Sequence, residues 1–249
     1  CFHAVLYVLA RGISQYADEN YSAESLVGRD SFMTQDVIFQ NGEGDQWYER
    51  NKVKLVPKDD FVCRMIESIG VHPHRIVEVG CSNGYRLEYL RQKYHAACYG
   101  YDISKEAIEA GREAFPQIHL EQKPLHEILS NVTFDLVICN FVLHWVDRSR
   151  LVSSMDRIDA LVCGGGTLVL GDFSPDYQQK RKYHHLPNEE VYTYKQDYAV
   201  FFKATGLYRE TAVFTFDHDN GVCGYAQSEA RGMCTALRKM ENDEYYILT

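Results

Sequence analysis

The stretch Ile76-Val77-Glu78-Val79-Gly80-Cys81-Ser82-Asn83-Gly84 constrains this chain more than any other. A β-branched run carrying one acidic residue turns through two glycines. Leu87, Leu90 and Tyr94 then recur at helical spacing, so the order is strand, glycine turn, helix. Such a turn lets backbone approach a ligand closely and aims N–H groups and a helix N-terminus at it. The next apolar run, Cys98-Tyr99-Gly100-Tyr101-Asp102, ends in a carboxylate 22 residues after Gly80. An acidic side chain at the end of a second strand, about 20 residues beyond the glycines, is placed to accept both hydroxyls of a ribose. A dinucleotide fingerprint would need G-x-G-x-x-G, and only Gly80 and Gly84 are supplied, so the nicotinamide oxidoreductase reading is the weaker one.

A second run, Phe134-Asp135-Leu136-Val137-Ile138-Cys139-Asn140, is an apolar strand that continues through Phe141-Val142-Leu143-His144-Trp145-Val146. Together, E-V-G-C-S-N-G and F-D-L-V-I-C-N-F-V-L-H-W-V resemble the first and fourth-strand motifs of class I S-adenosylmethionine-dependent methyltransferases. Ser82 stands where the family's middle glycine is usual. The resemblance covers residues 42–240, closely at the two motifs and loosely elsewhere. It implies a Rossmann-like α/β fold: a seven-stranded, mostly parallel sheet with an antiparallel last strand and helices on both faces. It also implies S-adenosylmethionine as cofactor, held by Glu78, Gly80, Cys81, Ser82 and Gly84, with Asp102 and Ile103 at the second strand. Gln122 and Leu125 would lie about the adenine, where a plain turn is the alternative for Gln122. Asn140 would end its strand beside the sulfonium, and Phe141 would cover the cofactor.

The strand–helix repeat is read from the chain itself. A helix after Pro57 turns Phe61, Met65, Ile66 and Ile69 inward and stops at Gly70. Ser104 caps another through Ala114; Ile118–Leu120 is a short third strand; and Leu151, Met155, Ile158 and Leu161 mark one helix face. Cys163-Gly164-Gly165-Gly166 reads as that helix's terminating turn, because it precedes a strand, Thr167–Asp172, where a phosphate loop would precede a helix. A helix at Tyr198–Thr205 and strands at 207–216 and 233–239 follow. Alternating strands and helices demand a parallel sheet covered on both faces.

Composition narrows the setting. The 249 residues suit one α/β domain with additions. A charge of −9 argues against a duplex nucleic-acid or anionic-membrane partner, since phosphate binding needs a basic stripe, and Lys180-Arg181-Lys182 reads as a solvated loop. Eight cysteines without C-x-x-C spacing read as small apolar residues in a reducing compartment. No run approaches the roughly 18 apolar residues of a membrane span, so the expectation is cytoplasmic. At the front, Phe2, Val5, Leu6, Leu9 and Ile13 share helical spacing, and Met33 stands where a natural start would be. Residues 1–32 are therefore expected to be an N-terminal extension, either added to the natural chain or a lid helix, with the methyltransferase domain at 33–249.

Two further segments bear on the acceptor. Gly44-Asp45-Gln46-Trp47-Tyr48-Glu49-Arg50-Asn51 is similar to the G-D-x-x-x-x-R-N lead-in of bacterial surface-glycan methylases, which places Trp47, Tyr48, Arg50 and Asn51 at the acceptor. Residues 173–194 lack periodicity and carry Tyr177, Tyr183, His184, His185, Tyr192 and Tyr194; the segment leaves the fifth strand at the ligand edge of the sheet. At about 22 residues it exceeds an ordinary loop, which favours a binding role for Tyr183, His185 and Tyr194 over packing on the sheet edge.

Methyl transfer is an in-line displacement, helped by alignment and exclusion of water. A base is needed only where the acceptor must lose a proton. His144 and His184 are the candidate catalytic residues, with a structural role the alternative for His144 and core packing the alternative for Trp145. A metal site built from His184-His185 with Asp217-His218-Asp219 is disfavoured by the poor spacing. The expected activity is methyl transfer to a small polar metabolite, with O-methylation of a sugar or glycan intermediate favoured. A cofactor-binding protein without transfer activity is the other alternative. Oligomeric state is not legible.

Overall fold

The computed structural model describes residues 34–241. The extension expected at 1–32 lies outside the described residues.

The chain enters as a short helix, α1 (Gln35–Ile38), passes through a π-helical turn at Phe39–Glu43, and continues as α2 (Gly44–Asn51). Gly42, at φ 151°, carries the kink between them. After α3 (Phe61–Ser68) the strand–helix alternation begins: β1 (Arg75–Val79), α4 (Tyr85–Tyr94), β2 (Ala97–Asp102), α5 (Lys105–Ala114), β3 (His119–Gln122), β4 (Phe134–Asn140), α6 (Leu151–Leu161) and β5 (Val162–Phe173). A two-stranded hairpin, β6 (Gln179–Lys182) and β7 (Tyr192–Lys195), precedes α7 (Ala199–Ala204), β8 (Tyr208–Asp217) and β9 (Arg231–Lys239).

Seven strands form one sheet in the order β3-β2-β1-β4-β5-β9-β8. β1 pairs in parallel with β2 and β4, and β4 with β5. β9 runs antiparallel to both β5 and β8, so the last strand alone is reversed. Strand order reverses between β1 and β4, and ligands of such sheets sit at the strand carboxyl ends at that point.

Side chains alternate across the central strands, as the pleat requires. Val77, Val137, Cys139 and Leu168 share one core with Met155 and Ile158 of α6 and Phe202 of α7. Ile76, Leu136, Ile138 and Val169 share the other with Met65 and Ile66 of α3, Leu87 and Leu90 of α4, and Ile108 of α5. Each such fully buried aliphatic side chain contributes about 1.5–3 kcal/mol. The sheet is thus closed on both faces, and its carboxyl edge is left to bind.

Two elements differ from expectation. The glycines of 163–166 lie inside β5: pairing with β4 starts at Val162 opposite Phe134 and resumes at Thr167 opposite Leu136, so the glycines form a bulge, with Gly165 at φ 74°. Lys180–Lys182, expected as loop, belongs to β6, where Lys180 Nζ sits 3.8 Å from the Tyr192 ring centroid across the hairpin.

Among the described residues no helix is long and apolar enough to cross a membrane, and the seven cysteines are free thiols.

Candidate functional site

The turn after β1 is built as its sequence requires. Gly80 (φ 73°) donates its N–H to the Tyr101 carbonyl at 2.7 Å, and a Cβ there would run into Val142 Cγ2. Ser82 also adopts the left-handed region, at φ 50°, a conformation that costs a non-glycine residue about 1–2 kcal/mol. Its N–H is fixed at 2.7 Å to Asp102 Oδ2, while Ser104 N–H donates to Oδ1 at 2.8 Å. The turn and the carboxylate at the end of β2 therefore hold each other. Burial raises the Asp102 pKa against the pull of these N–H groups.

Beneath the turn lies a buried ionic network. Asp60 caps α3 by accepting from Val62 and Cys63 N–H, both at 3.0 Å, and accepts from Arg86 Nε at 2.8 Å. Arg86 in turn pairs with Glu78. Burial pushes the Glu78 carboxyl up to about 7, with Arg86 pulling the other way. Glu78 thus positions α4 through Arg86 and does not reach the open space above.

That space is a cavity of about 370 Å³ at the carboxyl edge of β1, β2 and β4. Gly80, Ser82, Asp102, Ile103, Leu125, Asn140 and Phe141 line it, as do Trp47 and Asn51 from the lead-in. Nine buried side-chain polar atoms lack a hydrogen-bond partner among the described residues, and four of them belong to lining residues: Asp36 Oδ2, Ser82 Oγ, Asn140 Oδ1 and Ser154 Oγ. Native proteins satisfy nearly all buried polar groups, so four exceptions around one cavity mark a place for a polar ligand. Phe141 completes the wall at φ 55°, a second strained non-glycine residue at this edge.

A roof covers one side of the cavity, which stays partly open. Glu43, Arg50 and Tyr183 form one cluster: the Tyr183 hydroxyl donates to Glu43 Oε1 at 2.7 Å, and Arg50 pairs with Glu43 and donates to the same hydroxyl at 3.1 Å. Gln35 Nε2 reaches the Trp145 carbonyl at 2.6 Å and the Tyr192 carbonyl at 2.8 Å. Phe39, Trp145 and Tyr183 pack ring to ring at 5.3–5.8 Å. Lead-in, the turn after β4 and the hairpin are thus tied together above the strand ends.

Not every expected residue lines the cavity. Among the cofactor candidates, Glu78, Cys81, Gly84 and Gln122 lie outside its lining. Gln122 turns back to donate to the Ile103 carbonyl at 3.1 Å. Among the acceptor candidates, Tyr48, Arg50, Tyr183, His185 and Tyr194 also lie outside the lining; Arg50 and Tyr183 are spent in the roof, and Tyr194 faces Arg148, whose guanidinium carbon lies 4.2 Å from its ring centroid. His144 is buried with Nδ1 2.9 Å from Asp172 Oδ1, and His184 is exposed, its ring centroid 3.9 Å from that of His185 at a tilt of 42°. Trp145 both packs in the roof and lines the cavity, with Nε1 donating to Thr193 Oγ1 at 3.2 Å. Lining residues that the sequence did not single out include Asp36, Tyr85, Arg86, His126, Ser154 and His218. No pattern marks them as one site, because they come from five separate segments, and His218 entered the sequence reading only in the disfavoured metal site. Among the described residues no group of three or more His, Cys, Asp or Glu is placed to hold a metal ion.

The seven-stranded sheet has the Rossmann-like methyltransferase fold, and residues 77–170 match a family model described as a methyltransferase domain. The chain is 29% identical over 99 residues to a trans-aconitate 2-methyltransferase of Methylobacterium nodulans, covering 39% of this chain and 38% of that protein. It is 25% identical over 153 residues to a tRNA N(3)-methylcytidine methyltransferase of Schizosaccharomyces pombe, covering 55% and 61%. The first curated relatives are thus matched over about two fifths of their length. In fold, the chain is similar to the Burkholderia thailandensis 1,6-didemethyltoxoflavin-N1-methyltransferase, solved with bound 1,6-didemethyltoxoflavin and S-adenosylhomocysteine, at a TM-score of 0.61, 10% identity and coverage of 90% and 94%.

The residues present fit S-adenosylmethionine, the methyl donor of methyltransferases of this fold. Asp102 offers a carboxylate for a ribose diol, Gly80 leaves room for close approach, and Ile103 and Leu125 supply apolar faces for a base. Ser82 Oγ and Asn140 Oδ1 are free to bond polar atoms of the ligand. When bound, the cofactor supplies an electrophilic methyl group on a sulfonium.

Proposed function

We propose that the protein transfers a methyl group from S-adenosylmethionine to a small polar metabolite, with a sugar or glycan intermediate favoured and oxygen the favoured acceptor atom. The reading takes residues 33–249 as the methyltransferase domain. One observation carries the methyltransferase part: four buried polar atoms without a hydrogen bond, a glycine turn and the Asp102 carboxylate converge on one roofed cavity. What the residues do is bind and align. Asp102 and the turn hold the nucleoside, Asn140 and Phe141 fix the strand-end region, and the roof excludes water, which raises the effective concentration of the acceptor and strengthens electrostatics inside. The acceptor class is supported by the G-D-x-x-x-x-R-N lead-in, the polar and aromatic cavity lining and the net charge of −9, which disfavours nucleic-acid phosphates.

Calorimetry tests the first step: S-adenosylhomocysteine should bind saturably with a single site, and NAD should not bind. Binding of NAD alone would establish the oxidoreductase reading instead. The second step is mass-spectrometric detection of a 14 Da gain against a panel of nucleotide sugars, sugar acids, small polycarboxylates and tRNA. Product from a sugar supports the assignment. Product from tRNA alone would overturn the acceptor class, and cofactor binding with no methylated product would favour a binding protein without transfer activity.

A further inference from the structure

The geometry points to His218, in the turn after β8, as the group that takes the proton from the methyl acceptor. The inference rests on the methyltransferase reading above and goes beyond it, because neither histidine singled out by the sequence lines the cavity.

Topology puts His218 at the right edge. β9 is antiparallel to both β5 and β8, so β8 runs in the same sense as β5 and its C-terminal end lies with those of β1, β2 and β4. The turn is pinned there: His218 N–H donates to the Ala230 carbonyl at 2.8 Å. Its ring lies 4.8 Å from Phe141 and 4.7 Å from Phe173, on an aromatic floor that extends to Phe216 and Phe61. Phe141 directly follows Asn140, so His218 stands over the end of β4 and faces the open cavity.

Two imidazoles line the cavity among the described residues, and their settings differ. His126 lies in the turn after β3, 3.6 Å from the Asp36 carboxylate and 3.6 Å from that of Glu127. No described carboxylate lies within salt-bridge distance of His218, which leaves both ring nitrogens available. The charged and titratable groups facing it are Asp219 from its own turn, His144 from the turn after β4, Lys195 from β7 and Asp172 from β5. Burial against the two phenyl rings, with His144 and Lys195, lowers the imidazole pKa, and Asp219 and Asp172 oppose them. The net result is a neutral ring with a free lone pair at physiological pH, the form a base requires. The other side of the residue is exposed, so a proton taken from the cavity can leave to water.

The step balances. As the acceptor's oxygen or nitrogen bonds to the methyl carbon, the carbon–sulfur bond breaks with its electron pair left on sulfur. His218 receives the acceptor's proton on its unprotonated ring nitrogen, so the positive charge lost at sulfur is carried away by the imidazolium.

The test uses charge as a ruler. The full chain carrying isotopically labelled histidine is titrated by NMR with S-adenosylhomocysteine bound and again with S-adenosylmethionine bound, and the His218 signal is assigned with His218→Gln. The two ligands differ by a methyl group and one positive charge. If His218 faces the methyl, its pKa should be lower by roughly half a unit to one unit in the sulfonium complex. The exposed His184 should titrate alike in both complexes. Coincident His218 curves would overturn the proposal while leaving cofactor binding intact. Failure of both ligands to bind would overturn the methyltransferase reading itself. His218→Gln should also keep its S-adenosylhomocysteine affinity within twofold, since the ring is assigned to the acceptor; a tenfold loss would make it a cofactor-binding residue instead.

Discussion

At the scale of single residues, Asp102 and Ser82 carry the most testable chemistry. Asp102 accepts from Ser82 and Ser104 N–H and still faces the cavity, so Asp102→Ala removes a ligand contact and two turn contacts together. Loss of about 1.5–3 kcal/mol in S-adenosylhomocysteine binding is expected by calorimetry, the range for a charge-assisted hydrogen bond; wild-type affinity would remove the ribose assignment. The pH dependence has opposite signs for fold and ligand. Because burial raises the Asp102 pKa above 3.8, the folded protein holds that proton more tightly than the unfolded chain. This group's cost to stability is therefore fully present above the raised value and relieved as pH falls through it. A ribose diol needs the ionised form, so affinity should fall over that same window, starting at a higher pH than an ordinary aspartate would give. Ser82→Gly should raise apo stability by about 1 kcal/mol, because it frees the turn from a left-handed serine and removes an unpartnered buried hydroxyl. A lowered urea midpoint would show that the serine side chain is held in the apo protein.

At the scale of elements, the roof separates what was legible from what was not. The two motifs were readable because β1 and β4 are flanked on both faces and show it as apolar runs, interrupted by Glu78 and Asp135 and ended by a glycine turn and by Asn140. The hairpin was not, because neither β6 nor β7 has a buried face and their stabilisation comes from cross-strand lysine–tyrosine pairs. The bulge of β5 was misread because its glycines carry a turn signal that strand pairing overrides from Val162 onward. His218 stood out only as part of a disfavoured metal site, since a histidine in a polar turn shows its neighbours only once β8 is placed beside β9. Tyr183 shows the consequence. The sequence set it against the acceptor, whereas its hydroxyl is enclosed between Glu43 and Arg50 in the roof. Tyr183→Phe strips a buried carboxylate of a donor, so it should cost about 1–3 kcal/mol in local stability. Hydrogen exchange should report this as faster exchange of amides 35–51, with weaker cofactor binding following from the looser roof. Unchanged exchange with a selective loss of turnover would return Tyr183 to the acceptor.

At the scale of the whole molecule, the cavity is where distant parts of the chain meet. Its lining comes from the lead-in, the ends of β1, β2 and β4, the turn after β3, α6 and the turn after β8. α1 contributes Asp36 as well, and Asp36 and His218 are 182 residues apart in sequence. Unfolding scatters them, so a ligand that needs them together binds the native state alone and must stabilise it by mass action. At 100 times its dissociation constant, S-adenosylhomocysteine should add about 2.7 kcal/mol. For a domain of this size each kcal/mol raises the melting temperature by about 2–4 °C, so calorimetric scanning should show a rise of roughly 5–11 °C, against no rise with NAD. The enthalpic size of the transition decides which part responds. A single sharpened peak that moves as one would mean that the roof and the sheet unfold together around the ligand. A ligand-induced shift confined to a small early transition would mean that the roof melts apart from the sheet, and that the cofactor is held by the strand ends with little help from the lead-in.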